Sequence, residues 1–250
     1  MQVQTISIGK ATLYAYLQEN TDEIDVNRKH PAMLILPGGG YSGVSVREGE
    51  PLAVACLAYG YSAFVLRYTV GPNEKYPTQL NQAEDALQYI RQHAQEWNIH
   101  SEKIAVMGFS AGGHLAGNLA TAGKVRPDAA ILCYPVITAG EYAHRDSFIA
   151  LGAEISLEHC VDDKTPPTFL WHTANDGLVP VENSLLMASA LQQKKIPFEL
   201  HIFQDGPHGL ALCNEQTAGP NAEHFLNPHA AHWFPLCIEW CNQLFFKGEK

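Results

Sequence analysis

The chain has 250 residues, of which 46% are hydrophobic and 17% charged, which excludes wholesale disorder and supplies a core without disulfides or metals. Its 16 basic and 26 acidic residues leave a formal charge of −10. Nucleic acid and anionic membranes are therefore poor partners, because both are bound through basic patches.

Residues 3–8 and 12–17 read as a leading pair of antiparallel strands. Residues 32–36, 62–66, 104–107, 129–133 and 168–171 are nearly continuous apolar runs, the pattern of parallel strands covered on both faces. Residues 198–203 alternate apolar and polar side chains, which suits a strand nearer the sheet edge. Between them lie helical stripes. Leu80, Ala83, Leu87, Ile90, Ala94 and Trp97 predict a helix of about five turns, with Thr78 as its cap. Residues 114–122 follow as a helical segment. Val181, Leu185, Ala188 and Leu191 mark another helix, with Pro180 near its first turn, and Phe234, Cys237, Cys241 and Phe245 the last. Alternation of this kind predicts an α/β fold, one domain over 1–250, with a mostly parallel sheet of about eight strands and helices on both faces. Residues 136–167 lack periodicity and are expected to form a small lid, an insertion walling the substrate, or no lid at all.

No apolar run reaches the roughly 18 residues of a membrane helix. Met1-Gln2-Val3-Gln4-Thr5 has no basic segment and no long apolar stretch behind it, so no secretory leader and a cytoplasmic location are expected. Cys56, Cys133, Cys160, Cys213, Cys237 and Cys241 form no C-x-x-C pair and read as buried thiols.

Gly108-Phe109-Ser110-Ala111-Gly112 fits G-x-S-x-G between a predicted strand and a predicted helix. That setting gives a sharp turn that exposes Ser110 as a candidate nucleophile at the carboxyl end of the sheet. Upstream, Pro37-Gly38-Gly39-Gly40 follows another strand. The N–H groups of Gly39 and Gly40, with that of Ala111, are the candidate oxyanion donors. A phosphate loop would need G-x-x-x-x-G-K-[ST], and a dinucleotide turn an acidic partner on a following strand; neither is evident.

A serine nucleophile needs a base and an orienting carboxylate. Of the 12 histidines, His208 lies in a loop just after a strand, at the end of the sheet that holds Ser110. His201 falls within a strand, and His224, His229 and His232 near the last helix. His229 and His232 are spaced for a metal but lack a carboxylate pattern. Asp176 lies in a loop between strand and helix, again at the carboxyl end, where it could also cap the helix. Asp205 is a rival only three residues from His208, and Asp162 and Asp163 read as solvated. Tyr41 either walls a small acyl pocket or packs. Arg47 and Glu48 either meet a polar leaving group or pair with each other at a helix start.

With these residues in this order the chain resembles the α/β-hydrolase family over nearly its whole length. More narrowly, Leu36-Pro37-Gly38-Gly39-Gly40-Tyr41, Arg47-Glu48-Gly49-Glu50, Phe64-Val65-Leu66-Arg67-Tyr68 and Pro166-Pro167-Thr168-Phe169-Leu170-Trp171-His172-Thr173 resemble bacterial acetylxylan-esterase-like carbohydrate acetyl esterases, of the sugar-hydrolase or xylanase-associated type. Where the hormone-sensitive-lipase-like pattern has the histidine of H-G-G-G, this chain has Pro37. The departure bears on loop packing, not on the oxyanion role. The resemblance implies acyl transfer through Ser110, with His208 as base and Asp176 as its orienter, and no metal or organic cofactor. The polar character of 136–167 argues for short acyl esters, acetate first, of a sugar or other polar alcohol. Amide hydrolysis of an arylformamidase or dipeptidyl-peptidase kind stays open, since the elbow does not separate ester from amide. No acidic pair clearly fixes a peptide amino terminus. A binding protein on the same fold is the third reading, against which Ser110, Asp176 and His208 stand together. A homodimer stays open, with no interface signature in the sequence.

Overall fold

The structure, a computed structural model, describes residues 1–220 and 223–248. Eight strands form one sheet: β1 (Gln2–Ile8), β2 (Ala11–Leu17), β3 (His30–Leu36), β4 (Ser62–Arg67), β5 (Ile99–Phe109), β6 (Ala129–Cys133), β7 (Thr168–Thr173) and β8 (Phe198–Phe203). Their order is β1-β2-β4-β3-β5-β6-β7-β8. β1 and β2 pair antiparallel, β2 joins β4 antiparallel, and β3 through β8 are parallel. β8 is an edge strand, as its alternation predicts.

Every residue of β3 is buried because successive side chains feed two cores. Ala32, Leu34 and Leu36 enter one core with α2 (Thr78–Gln92), α3 (Ala111–Ala122) and α5 (Glu182–Lys194). Met33 and Ile35 enter the other with α1 (Glu50–Ala58) and α6 (Trp233–Phe245). Cys237 and Cys241 sit in this second core, and all six cysteines are free. α4 (Arg145–Leu151) and a single 3-10 turn at Leu157–His159 interrupt the 136–167 segment.

Several local expectations differ. α1 has no counterpart among the predicted stripes. Pro77, not Thr78, is the N-cap of α2, and Thr78 is its first residue. α2 ends at Gln92 instead of reaching Trp97. Ala94 and Trp97 stay buried because the chain continues in hydrogen-bonded turns, Ala94 to the Arg91 carbonyl and Trp97 to that of His93. In α5, Leu185 faces solvent and Met187 takes the core position. No helix of the described residues is long and apolar enough to cross a membrane.

Candidate active site

Parallel strands bring four loops to one edge of the sheet. β3 leads into Gly38, Gly39 and Gly40, β5 into Ser110, β7 into Asp176 and β8 into His208.

Ser110 stands between β5 and α3 at φ 54° and ψ −119°, a conformation that persists only where the surroundings fix it. Its N–H donates to the Cys133 carbonyl at 3.0 Å, and its carbonyl accepts from Val136 at 3.1 Å. Both bonds tie the elbow to the segment around β6. The flanking glycines are needed for close approach. A Cβ on Gly108 would lie 2.2 Å from the Gly112 carbonyl oxygen, and one on Gly112 would lie 2.1 Å from that of Leu36.

His208 Nε2 lies 2.8 Å from Ser110 Oγ, and its Nδ1 lies 2.7 Å from Asp176 Oδ2. A carboxylate oxygen accepts, so Nδ1 carries the proton and Nε2 accepts from the serine hydroxyl. Asp176 Oδ1 accepts from the N–H groups of Leu178 at 2.9 Å and Val179 at 3.0 Å. These are turn bonds, not a helix cap, because α5 begins only at Glu182. His172 Nε2 donates to the Val179 carbonyl at 3.0 Å and lies 3.3 Å from Asp176 Oδ2. Burial alone would push the Asp176 carboxyl up. Hydrogen bonds from His172 and His208 outweigh it and hold the group well below the usual carboxylate range.

The glycine run lies against the nucleophile. A Cβ on Gly38 would lie 3.0 Å from Ser110 Cβ. The Gly38 N–H is committed to Glu48 Oε2 at 2.8 Å. Among the hydrogen bonds of the described residues, the N–H groups of Gly39, Gly40 and Ala111 have no protein acceptor. Ala111 is the first residue of α3, whose opening N–H groups have no partner within the helix.

Tyr41 is corrected as a pocket wall. Its ring is buried, and its hydroxyl meets His114 Nδ1 at 2.9 Å. It packs against Tyr68. Arg47 and Glu48 do not pair either. Arg47 donates to the carbonyls of Thr217 at 2.6 Å and Gly209 at 3.0 Å, and covers the Phe225 ring. It thereby pins the loop that follows His208. Glu48 is buried and accepts from Gly38 and from the Tyr134 hydroxyl, the latter at 2.7 Å. The rival groups stay outside the relay. Asp205 accepts from Asn175, Asp162 pairs with Arg126, and His201 pairs with Glu199. His232 Nδ1 is bonded to the His229 carbonyl, and His224 lies against Phe225.

Two groups around the relay, His172 and Tyr134, were given no role in the sequence reading, and a third, Glu48, was given the wrong partners. For His172 a signal existed, an imidazole directly after the apolar run Phe169-Leu170-Trp171 of β7 and four residues before Asp176. A groove of about 550 Å³ opens beside His208, lined by Asn175, Gly177, Leu178, Gly206 and Pro207. A larger one of about 1000 Å³, along α6 near Tyr59 and Trp240, holds none of the candidate residues.

An elbow serine at the carboxyl edge of such a sheet defines an α/β hydrolase. Comparison with known proteins agrees: the BD-FAE family model matches residues 20–131. An α/β-hydrolase enzyme, MGS-M1, from a Medee basin deep-sea metagenome library is 40% identical. It covers 98% of each chain with a TM-score of 0.89. The chain belongs to the α/β-hydrolase family. It is 42% identical to endo-1,4-beta-xylanase B of Butyrivibrio fibrisolvens over 82% of its length. It is 33% identical to an acetylxylan esterase of Xylanibacter ruminicola, also over 82%. It spans only 35% and 44% of those two relatives.

Proposed function

We propose that the chain is a serine esterase that removes short acyl groups, acetate first, from a carbohydrate or other polar alcohol. The observation that carries this reading is the unbroken relay from Asp176 through His208 to Ser110, at 2.7 and 2.8 Å.

In this reading Ser110 Oγ attacks the ester carbonyl as its proton passes to His208 Nε2. Asp176 fixes the Nδ1–H tautomer and stabilises the imidazolium. The N–H groups of Gly39, Gly40 and Ala111 receive the oxyanion; one such donor is typically worth about 2.7–4 kcal/mol of barrier. The bond to the alcohol oxygen breaks as His208 returns the proton to it, leaving an acyl-serine. Water then attacks that ester, again with its proton going to His208, and the acid leaves as Ser110 regains its hydrogen.

The leaving oxygen must reach His208, and in this reading the alcohol extends into the groove beside His208. That groove is open to solvent and bordered by the exposed Leu178, which suits a polar alcohol with one apolar face. Residues 136–167 form a wall of the site in this reading, not a mobile lid. Ser147 Oγ lies 3.8 Å from where a Gly40 Cβ would stand, and Phe148 packs edge-on to His114. The acetylxylan esterase among the relatives supports the choice of an acetylated sugar.

The test is a p-nitrophenyl ester series from acetate to dodecanoate beside acetylated xylo-oligosaccharide, with Ser110→Ala as control. The reading expects a maximum at acetate, acetate release from the sugar, and no activity in the variant. Full activity in Ser110→Ala overturns the mechanism. A wild type that takes a fluorophosphonate label yet cleaves no ester moves the substrate to amides.

A further inference from the structure

Glu48 is a buried carboxylate that the mechanism leaves unused. It is 4% exposed, and its neighbour Arg47 turns away to Thr217 and Gly209. Its Oε2 accepts from the Gly38 N–H and its Oε1 from the Tyr134 O–H. The Tyr134 oxygen in turn accepts from the Ala211 N–H at 3.0 Å. The Tyr134 ring stands edge-on to His208, with centroids 5.0 Å apart. Tyr134 itself is held at φ 37°, with its N–H on the Trp171 carbonyl at 2.8 Å. A single chain of hydrogen bonds thus runs from Gly38 through Glu48 and Tyr134 to Ala211. It joins the loop with the candidate oxyanion donors to the loop with His208.

Burying a carboxylate is costly, and an apolar pair would fill the same space without that cost. We propose that Glu48 and Tyr134 are a positioning strut that sets the oxyanion loop against the histidine loop. Neither touches a reacting atom. The strut acts through Gly38, whose backbone lies against Ser110 and whose next two peptide groups offer their N–H to the oxyanion. Without the carboxylate the Gly38 N–H loses its acceptor, and the two donors beyond it shift. A displacement of about 1 Å there costs on the order of 100-fold in rate. The proposal rests on the esterase reading for the oxyanion role of Gly39 and Gly40 and for its ester assays.

The test uses Glu48→Gln, which keeps the volume but puts an NH2 donor at one of the two positions where the carboxylate accepted, so that either Gly38 or Tyr134 loses its acceptor. It also uses Tyr134→Phe, which keeps the ring on His208 and removes the hydroxyl. Glu84→Gln is the control, because Glu84 on α2 is also buried and also accepts a backbone N–H, from Lys124. In both strut variants kcat for p-nitrophenyl acetate falls about 10- to 100-fold with KM little changed. The control keeps the wild-type kcat even where its melting temperature drops. The double variant is no slower than the worse single one, because both break one chain of bonds. The rate of fluorophosphonate labelling at Ser110 falls in parallel, and this arm needs no ester substrate. A wild type that labels but cleaves no ester therefore refutes the esterase reading alone, and the labelling rates still judge the strut. Should Glu48→Gln not fold, Tyr134→Phe carries the test. Folded variants with wild-type kcat and labelling rate overturn the proposal. So do losses that merely track the folded fraction, or that add in the double variant.

Discussion

Mild acid is predicted to destabilise the fold through His114. This residue lies in the first turn of α3 and is fully buried. Its Nε2 lies 3.0 Å from the Ile155 carbonyl, which only accepts, so Nε2 carries the proton. Its Nδ1 therefore accepts from the Tyr41 hydroxyl. The neutral ring satisfies both bonds, and a charged one would sit without water among Tyr41 and Phe148. Burial accordingly lowers the imidazole from 6.5 to about 4, against a smaller opposing effect of the Ile155 bond. The unfolded chain takes up this proton below about pH 6.5, and the folded chain only below about pH 4. The stabilisation is thus fully present above pH 6.5 and is lost as pH falls through that window. At about 1.4 kcal/mol per pH unit the loss reaches about 3 kcal/mol. The assay is urea unfolding of wild type and His114→Gln at several values between about pH 7.5 and about pH 4.5. Other titrating groups are common to both proteins and cancel in the difference. The wild type is expected to lose about 2–3 kcal/mol more than the variant over this range. Parallel pH curves would refute the reasoning, because the buried ring would then contribute no linkage.

Other outcomes follow from the same geometry. Gly112→Ala drives a methyl group into the Leu36 and Pro37 carbonyls, at 2.1 and 2.4 Å. A loss of about 3 kcal/mol is expected in thermal or urea unfolding. Asp176→Asn removes the acceptor that fixes the His208 tautomer, so kcat should fall on the order of 10⁴-fold while the fold survives, as steady-state kinetics and circular dichroism would report. Tyr41→Phe leaves His114 Nδ1 without its donor at a cost of about 1–3 kcal/mol in urea, with the acyl-length profile unchanged. A shifted profile would restore Tyr41 to the pocket wall. Arg47→Ala frees the Gly209 and Thr217 carbonyls, so stability drops by about 2 kcal/mol and kcat falls with it as the His208 loop loosens.

The parts of the site that were legible in the sequence are those set by local geometry. A strand–turn–helix elbow admits only small residues at Gly108 and Gly112, and the chain order of Ser110, Asp176 and His208 follows from which strand ends each loop. The sheet was legible for a related reason: strands buried on both faces carry unbroken apolar runs. α1 was not, because its residues are apolar nearly all round, with Leu52, Ala53 and Cys56 inward and Val54 outward, so no stripe stands out. Glu48 and Arg47 were misread because neighbours in sequence suggest each other as partners. Among their actual partners, Tyr134 lies 86 residues from Glu48 and Thr217 lies 170 from Arg47. Tyr41 was ambiguous because its answer depends on His114, 73 residues on.

The central claim is that Ser110, activated by His208, forms the acyl-enzyme. Fluorophosphonate labelling followed by peptide mass mapping tests it most directly. One adduct is expected, on Ser110, absent from Ser110→Ala and slowed on the order of 10³-fold or more in His208→Ala. An adduct on another serine, or a label that persists at wild-type rate without His208, would contradict it.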